Sequence, residues 1–174
     1  KFSGTTLAVL KNFASINPSV MFKSGNTIRT ISPQKTVMAS ATIEEKIESN
    51  AGVYDLSRFL STLSLFDDPE VEFLDTKFVI KSGKSRVSYT YAAESMIVTP
   101  PDSDIKIPNP EVQVRVTYDI LEKVIRAAGV LQLGEIAFKG DGETVRLSAI
   151  DSKNPTADAF DVVVAEVDGP KFEM

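Results

Sequence analysis

Cysteine, histidine and tryptophan are absent from the 174 residues of this chain, and the first two absences remove most side-chain chemistry. Without thiols there is neither a disulfide framework nor a thiolate nucleophile. Without imidazole there is no Ser-His-Asp triad, no His-ligated zinc and no His general base. Only carboxylates, Lys, Tyr and hydroxyls remain for catalysis. The glycine loops that cradle phosphates, of the Walker or GxGxxG kind, are missing too, which excludes nucleotide binding through them. No stretch comes near the roughly 18 consecutive apolar residues of a membrane span, and KFSGTTLAVLKNF at the start lacks the apolar run of a secretory signal. Positive charge is also short. Lys and Arg number 19 against 24 Asp and Glu, a net charge of -5, so affinity for nucleic acid has to come from local patches of cations.

What is present suits a globular protein of one average domain or two small ones, with 43% apolar and 25% charged residues. The chain repeats itself. FKSGNTIRTIS (22–32), IKSGKSRVSYT (80–90) and FKGDGETVRLS (138–148) share an apolar residue, a Lys, a Ser/Gly turn and an Arg-bearing alternating run. This pattern predicts three hairpins, with Gly25, Gly83 and Gly140 or Gly142 supplying positive φ. Ahead of them, residues 5–16, 53–66 and 117–131 have helical apolar spacing. The expected stripes are Leu7, Leu10, Phe13 and Ala14; then Leu56, Phe59, Leu60 and Leu63; then Ile120, Leu121, Val124, Ile125 and Ala128. Further strands are expected at 36–43, 92–98 and 158–167.

The fold class is therefore α+β, built from repeated strand-helix-strand-strand-strand units with helices on one face of antiparallel sheets. The predicted organisation is a domain of two units at 1–99, a Pro-rich connector at 100–110 and a second domain at 111–174. KFEM (171–174) reads as the opening of a fourth unit. With no initiator Met, the expectation is a fragment or a processed chain.

On helical wheels Arg58 lies opposite the second stripe and Arg126 opposite the third, with Asp119, Glu122 and Lys123 beside it. Lys11 sits at the edge of the first. Their plain reading is a solvated surface with Glu122 to Arg126 and Asp119 to Lys123 as i,i+4 pairs. The carboxylate groups Asp67-Asp68-Pro69-Glu70 and Asp102-x-Asp104 lack calcium-loop spacing and read as solvated loops, with no metal or other cofactor expected.

The blocks LKNFASINPSVMFKSG (10–25), YDLSRFLSTLSLFDD (54–68) and IKIPNP (105–110) resemble the DNA polymerase sliding clamps of T-even-type bacteriophages. That resemblance implies a DNA-clamp fold, a homotrimeric ring around duplex DNA, no enzymatic activity, and a role as processivity factor in the cytoplasm of an infected bacterial host. Duplex DNA, bound without regard to sequence, a DNA polymerase and a clamp loader are the partners it implies, with no membrane. The bore of such rings is lined by helices, which makes Lys11, Arg58, Lys123 and Arg126 the expected DNA-facing residues. Val98, Ile105 and Ile107 are expected at a pocket for partner peptides. Subunit contacts are expected at 86–91, with Arg86, Tyr89 and Tyr91, and at 159–167, with Phe160, Val162 and Val164. Two other readings stay open: a β-rich virion structural or assembly protein with no DNA role, and a hydrolase using Asp67, Asp68 and Glu70.

Overall fold

The computed structural model describes residues 1–103, 108–110, 112–166 and 169–174. The chain divides into two compact units, Lys1–Asp104 and Ile105–Met174. The cut falls inside the Pro-rich stretch 100–110.

Unit 1 begins with helix α1 (Gly4–Ile16), followed by β1 (Val20–Phe22), β2 (Gly25–Ile31), β3 (Met38–Ile47) and β4 (Ala51–Val53). Next come α2 (Leu56–Leu63), β5 (Glu70–Phe73), β6 (Lys77–Ser82) and β7 (Ser85–Thr90), then a 3-10 turn at Glu94–Met96. Ser3 caps α1, its Oγ accepting from the Thr6 N–H at 3.1 Å. Glu45 reaches over from β3 to accept from Thr6 Oγ1 at 2.5 Å and from the Ser3 N–H. Burial pushes the Glu45 carboxyl up, but these hydrogen bonds outweigh burial and leave it below the usual carboxylate range. Asp55 caps α2 by accepting from the Arg58 N–H at 2.8 Å.

The two helices pack together, burying Leu10 and Phe13 from α1 against Leu56, Phe59 and Leu63 from α2. Phe78, on the central strand of the β5-β6-β7 sheet, is fully buried among aromatic rings. Tyr91 is 4.6 Å away by ring centroid, Phe59 and Phe73 4.9 Å each, and Phe22 6.0 Å.

The expected hairpins at 80–90 and 138–148 are present. β6 and β7 close at Ser82↔Ser85 around Gly83 (φ 56°). The expected hairpin at 22–32 is not. Val20, Met21 and Phe22 are all buried, so β1 has no solvent face to alternate with, and it pairs antiparallel with the equally buried Ala51–Val53. Gly25 (φ 120°), beside a register shift, then leads the chain into β2, which pairs with β3. Gly52 lets residues 92–97 close onto β4: a Cβ there would stand 2.5 Å from the Ala92 carbonyl oxygen and 2.8 Å from Ile97 Cδ1. In this half the described residues form two two-stranded ladders and a three-stranded sheet. The strand expected at 92–98 is also absent. Ala92 donates to the Gly52 carbonyl at 2.9 Å, and a 3-10 turn follows.

Unit 2 holds α3 (Tyr118–Leu131), β8 (Glu135–Asp141), β9 (Thr144–Ile150), β10 (Phe160–Glu166) and β11 (Lys171–Glu173), in the sheet order β10-β9-β8-β11. KFEM is thus a strand on this unit's own sheet, with Phe172 opposite Gly140, where a Cβ would meet the phenyl ring at 2.4 Å. Residues 112–116 alternate between half-buried and exposed without forming a ladder, so the strand expected ahead of α3 is not seen. Helix α3 buries Val124 and Ala128, while Leu121 and Ile125 stay 39% and 53% exposed. The predicted apolar stripe is therefore wider than the face in use. Among the described residues, α3 has no second helix beside it as α1 has α2.

The β8-β9 turn is held by Asp141, which accepts from the N–H groups of Thr144 (2.7 Å) and Glu143 (3.0 Å) and from Thr144 Oγ1 (2.9 Å). The backbone donors, Thr144 foremost, lower its pKa to about 2. A carboxyl depressed in the folded state contributes stability above its unfolded value of 3.8, lost as pH falls through the folded value. Unit 2 should therefore lose stability between pH about 4 and about 2. In Asp141→Asn, chemical denaturation across this window should show a smaller dependence on pH than in the parent.

Candidate nucleic-acid interface

Sequence and structure agree on one property of the unit 1 helices. GTTLAVLKNFASI and LSRFLSTL contain no acidic residue, although the chain is acidic as a whole. With Leu10, Phe13, Leu56, Phe59 and Leu63 turned inward, the outward faces carry Lys11 and Arg58 among Thr5, Asn12, Ser15, Ser57 and Ser61, all exposed. Lys11, placed at the stripe edge by the wheel, is exposed. Several hydroxyls of these helices are already donors to helix carbonyls, as Ser15 is to Asn12 (2.6 Å) and Thr62 to Arg58 (2.8 Å). The result is a weakly cationic, hydroxyl-rich surface whose helix residues include no carboxylate, with the exposed Asp55 cap of α2 at its edge, suited to loose contact with phosphates. The helix expected at 53–66 includes Asp55, so the absence of acid within α2 emerges only with its observed bounds, Leu56–Leu63.

Helix α3 differs. Arg126 donates to Glu122 at 2.9 Å, and Lys123 Nζ lies 5.9 Å from the centre of the Phe160 ring. Its outward charges, Asp119, Glu122, Lys123 and Arg126, cancel. Beside them Ala127, Val130, Leu131 and Phe160 line a shallow apolar trough.

The two segments expected at subunit contacts are both edge strands, β7 of the β5-β6-β7 sheet and β10 of the unit 2 sheet. Most of the side chains named for them point elsewhere. Tyr89 and Tyr91 turn inward: the Tyr89 hydroxyl donates to the Asp55 carbonyl at 3.1 Å and its ring lies 5.2 Å from Phe59, while Tyr91 stacks edgewise on Phe78. Burial raises the pKa of both phenols. Phe160, Val162 and Val164 pack on the unit 2 core. Alternation instead presents Arg86, Ser88 and Thr90 outward on β7, and Asp161 and Val163 on β10. Asp161 accepts from the buried Ser148 hydroxyl, and β10 carries a register shift between Val163 and Ala165.

Val98 is 40% exposed, and its carbonyl accepts from Asn17 Nδ2 at 3.3 Å. Ile105 and Ile107 lie outside the described residues. In the acidic loops, Asp68 pairs with Lys1, and Glu70 lies 3.7 Å from Lys81 Nζ. Asp102 pairs with Lys23, and Asp104 lies outside the described residues. Among the described residues no three acidic side chains converge to hold a metal ion, and no helix is long and apolar enough to cross a membrane.

A family model described as DNA polymerase processivity factor matches residues 2–99. The sliding clamp of Vibrio phage KVP40 is 32% identical over 176 residues, covering 97% of this chain and 78% of the relative. The sliding clamp of Escherichia phage RB69 is 32% identical, covering 97% and 76%. Among solved structures, the C-terminal region of FEN-1 bound to A. fulgidus PCNA contains a chain similar in fold, with a TM-score of 0.62 at 17% identity, covering 94% of this chain and 72% of that one.

Proposed function

From the premise that this chain belongs to the DNA polymerase processivity factor family, and is a sliding clamp rather than an enzyme, we propose that it closes with two further copies into a ring around duplex DNA. The ring forms by edge pairing of β7 on one subunit with β10 on the next. A clamp loader places it on DNA, and it acts in the cytoplasm of the infected host. Family membership sets aside the virion-structural and hydrolase readings.

The observation that carries the DNA contact is the outward surface of α1 and α2, whose helix residues include no acid and whose cations are Lys11 and Arg58. A ring needs no tight grip, because topology prevents escape sideways and each strong ionic contact would slow sliding. Widely spaced cations among hydroxyls attract phosphates without fixing a register, and the contact carries no sequence information. Lys123 and Arg126 contribute less, since Glu122 neutralises one and the Phe160 ring draws in the other. Open edges at β7 and β10 support ring closure, with Arg86 facing outward on one and Asp161 on the other. A fold relative is bound to the C-terminal region of FEN-1, which supports the reading that this chain also receives partner peptides, for which Val98, Ile105 and Ile107 are the candidates.

The test of the DNA contact is Lys11→Glu combined with Arg58→Glu, assayed by primer extension with the cognate polymerase and loader as salt is raised. For every phosphate that the variant no longer neutralises, the steepness of the salt dependence should fall by about 0.9 in log-log slope. The double variant should lose processive extension at lower salt than the parent while its oligomeric state is unchanged. Superimposable profiles would place the bore on another face.

A further inference from the structure

Among the described residues β7 and β10 each end a sheet, and the hydrogen bonds behind them fix which backbone groups each edge offers. The Tyr91 N–H donates to the carbonyl of Thr76, the residue before β6, at 2.9 Å. Antiparallel neighbours alternate between bonding one way and the other, so Ser85, Val87 and Tyr89 bond to β6. The N–H and C=O groups of Arg86, Ser88 and Thr90 therefore face the open edge. On β8, Phe138 exchanges both its bonds with Met174, at 2.7 and 2.9 Å, which turns Ala137 and Lys139 toward β9. Carried through Leu147 and Ala149, the same alternation bonds Phe160, Val162 and Ala165 to β9 and leaves Asp161, Val163 and Glu166 at the edge. These three stand opposite Ser148, Arg146 and Thr144 of β9. The extra residue at Val164 thus leaves them at the two-residue spacing of the open positions on β7.

We propose that β7 of one copy of this chain pairs with β10 of the next in a single register, with Arg86 opposite Glu166, Ser88 opposite Val163 and Thr90 opposite Asp161. The proposal rests on the ring reading above and names the residues that align its joint. This alignment uses all three open positions of both strands, and sliding by two residues either way leaves one unpaired on each. Charge selects the same alignment. Arg86 and Glu166 are exposed, and among the described residues neither is in an ion pair, so the joint gives each an opposite charge directly across. Asp161 accepts from Ser148 through Oδ1 and keeps Oδ2 for the Thr90 hydroxyl. The same carboxylates exclude a rival partner. A second β10 laid on the first would match Val163 with Val163 but set Asp161 against Glu166 twice, and like charges directly across a ladder repel. The exposed valine edge is thereby reserved for β7.

The chain has no cysteine, so introduced pairs report the register directly. Oxidation of the whole 174-residue chain carrying Ser88→Cys and Val163→Cys should give covalent oligomers up to the trimer, because hydrogen-bonded partners lie about 5.5 Å apart by Cα, within disulfide reach. Arg86→Cys with Val163→Cys, which the neighbouring register would join, should give none. In sedimentation equilibrium Arg86→Glu and Glu166→Arg should each weaken assembly by about twofold to thirtyfold, and the two together should recover most of the loss. All these positions are exposed, so the subunit fold is kept. Cross-linking of the second cysteine pair in place of the first, or a double reversal no better than the single ones, would overturn the register while leaving the ring standing. A parent chain that stays monomeric would overturn the ring reading and the register together.

Discussion

Phe78→Ala should lower the stability of unit 1 by about 3–5 kcal/mol, the usual cost of emptying a large buried aromatic site. Phe78 is fully buried on β6, and its ring touches both the helix layer, through Phe59, and the flanking strands, through Phe73, Tyr89 and Tyr91. Edge-to-face ring pairs each contribute roughly 0.5–1.5 kcal/mol beyond the area they bury, and this substitution removes several at once. Domains are stabilised by only about 5–15 kcal/mol in total, so the loss is a large fraction of what holds unit 1 folded. In urea, where small proteins show slopes of about 1–3 kcal/mol per molar, the unit 1 midpoint should fall by well over about 1 M. Phe138→Ala in unit 2 is the control. Phe138 is half-buried and has no aromatic partner among the described residues, so its removal should cost markedly less. Equal midpoint shifts for the two variants would show that the aromatic cluster is not the keystone of unit 1.

The second large effect is expected at the β10 edge. Val163 is 50% exposed, on the outward side of an edge strand whose Phe160, Val162 and Val164 face the core. Lysine there leaves the core untouched while placing a charge where a second strand would have to lie, the device by which natural edge strands avoid pairing. Val163→Lys should leave circular dichroism and melting of the subunit close to the parent. Ring assembly, measured by sedimentation equilibrium, should weaken by at least about tenfold, and processive primer extension should fall with it. A folded variant that assembles and extends as the parent does would move the subunit contact to another edge.

These contrasts also show what could be read from residues alone. The helices were legible because their apolar positions recur at helical spacing. The hairpins at Gly83 and Gly142 were legible from a glycine between alternating runs. FKSG at 22–25 carries the same local signal as IKSG at 80–83, yet its strand pairs elsewhere, since Val20–Phe22 is buried on both faces and its partner lies at Ala51–Val53. No local pattern encodes that choice. The helix α3 stripe was overextended for a related reason: spacing marks the apolar positions, but which of them are covered depends on the neighbours a helix has. On the edge strand β7, the alternation of Arg86, Ser88 and Thr90 with Val87 and Tyr89 made the outward set visible, with Arg86 in it and Tyr89 on the inward side.

The pairing of β4 with β1 has a counterpart in unit 2, where β11 pairs with β8. In each case the later strand follows a run of three strands and returns to the first of them, so the repeats are clasped links and not beads. Cutting the backbone between two neighbouring repeats leaves them joined by a ladder of hydrogen bonds. Excising one whole repeat, by contrast, strips the closing strand from the repeat before it. Folding must follow the same logic: the tight turns at Gly83 and Gly142 can close within microseconds, whereas Val20 must wait for Val53 to arrive across a much longer loop. A lineage that changes the length of such a chain by whole repeats therefore has to mend a clasp each time it does so.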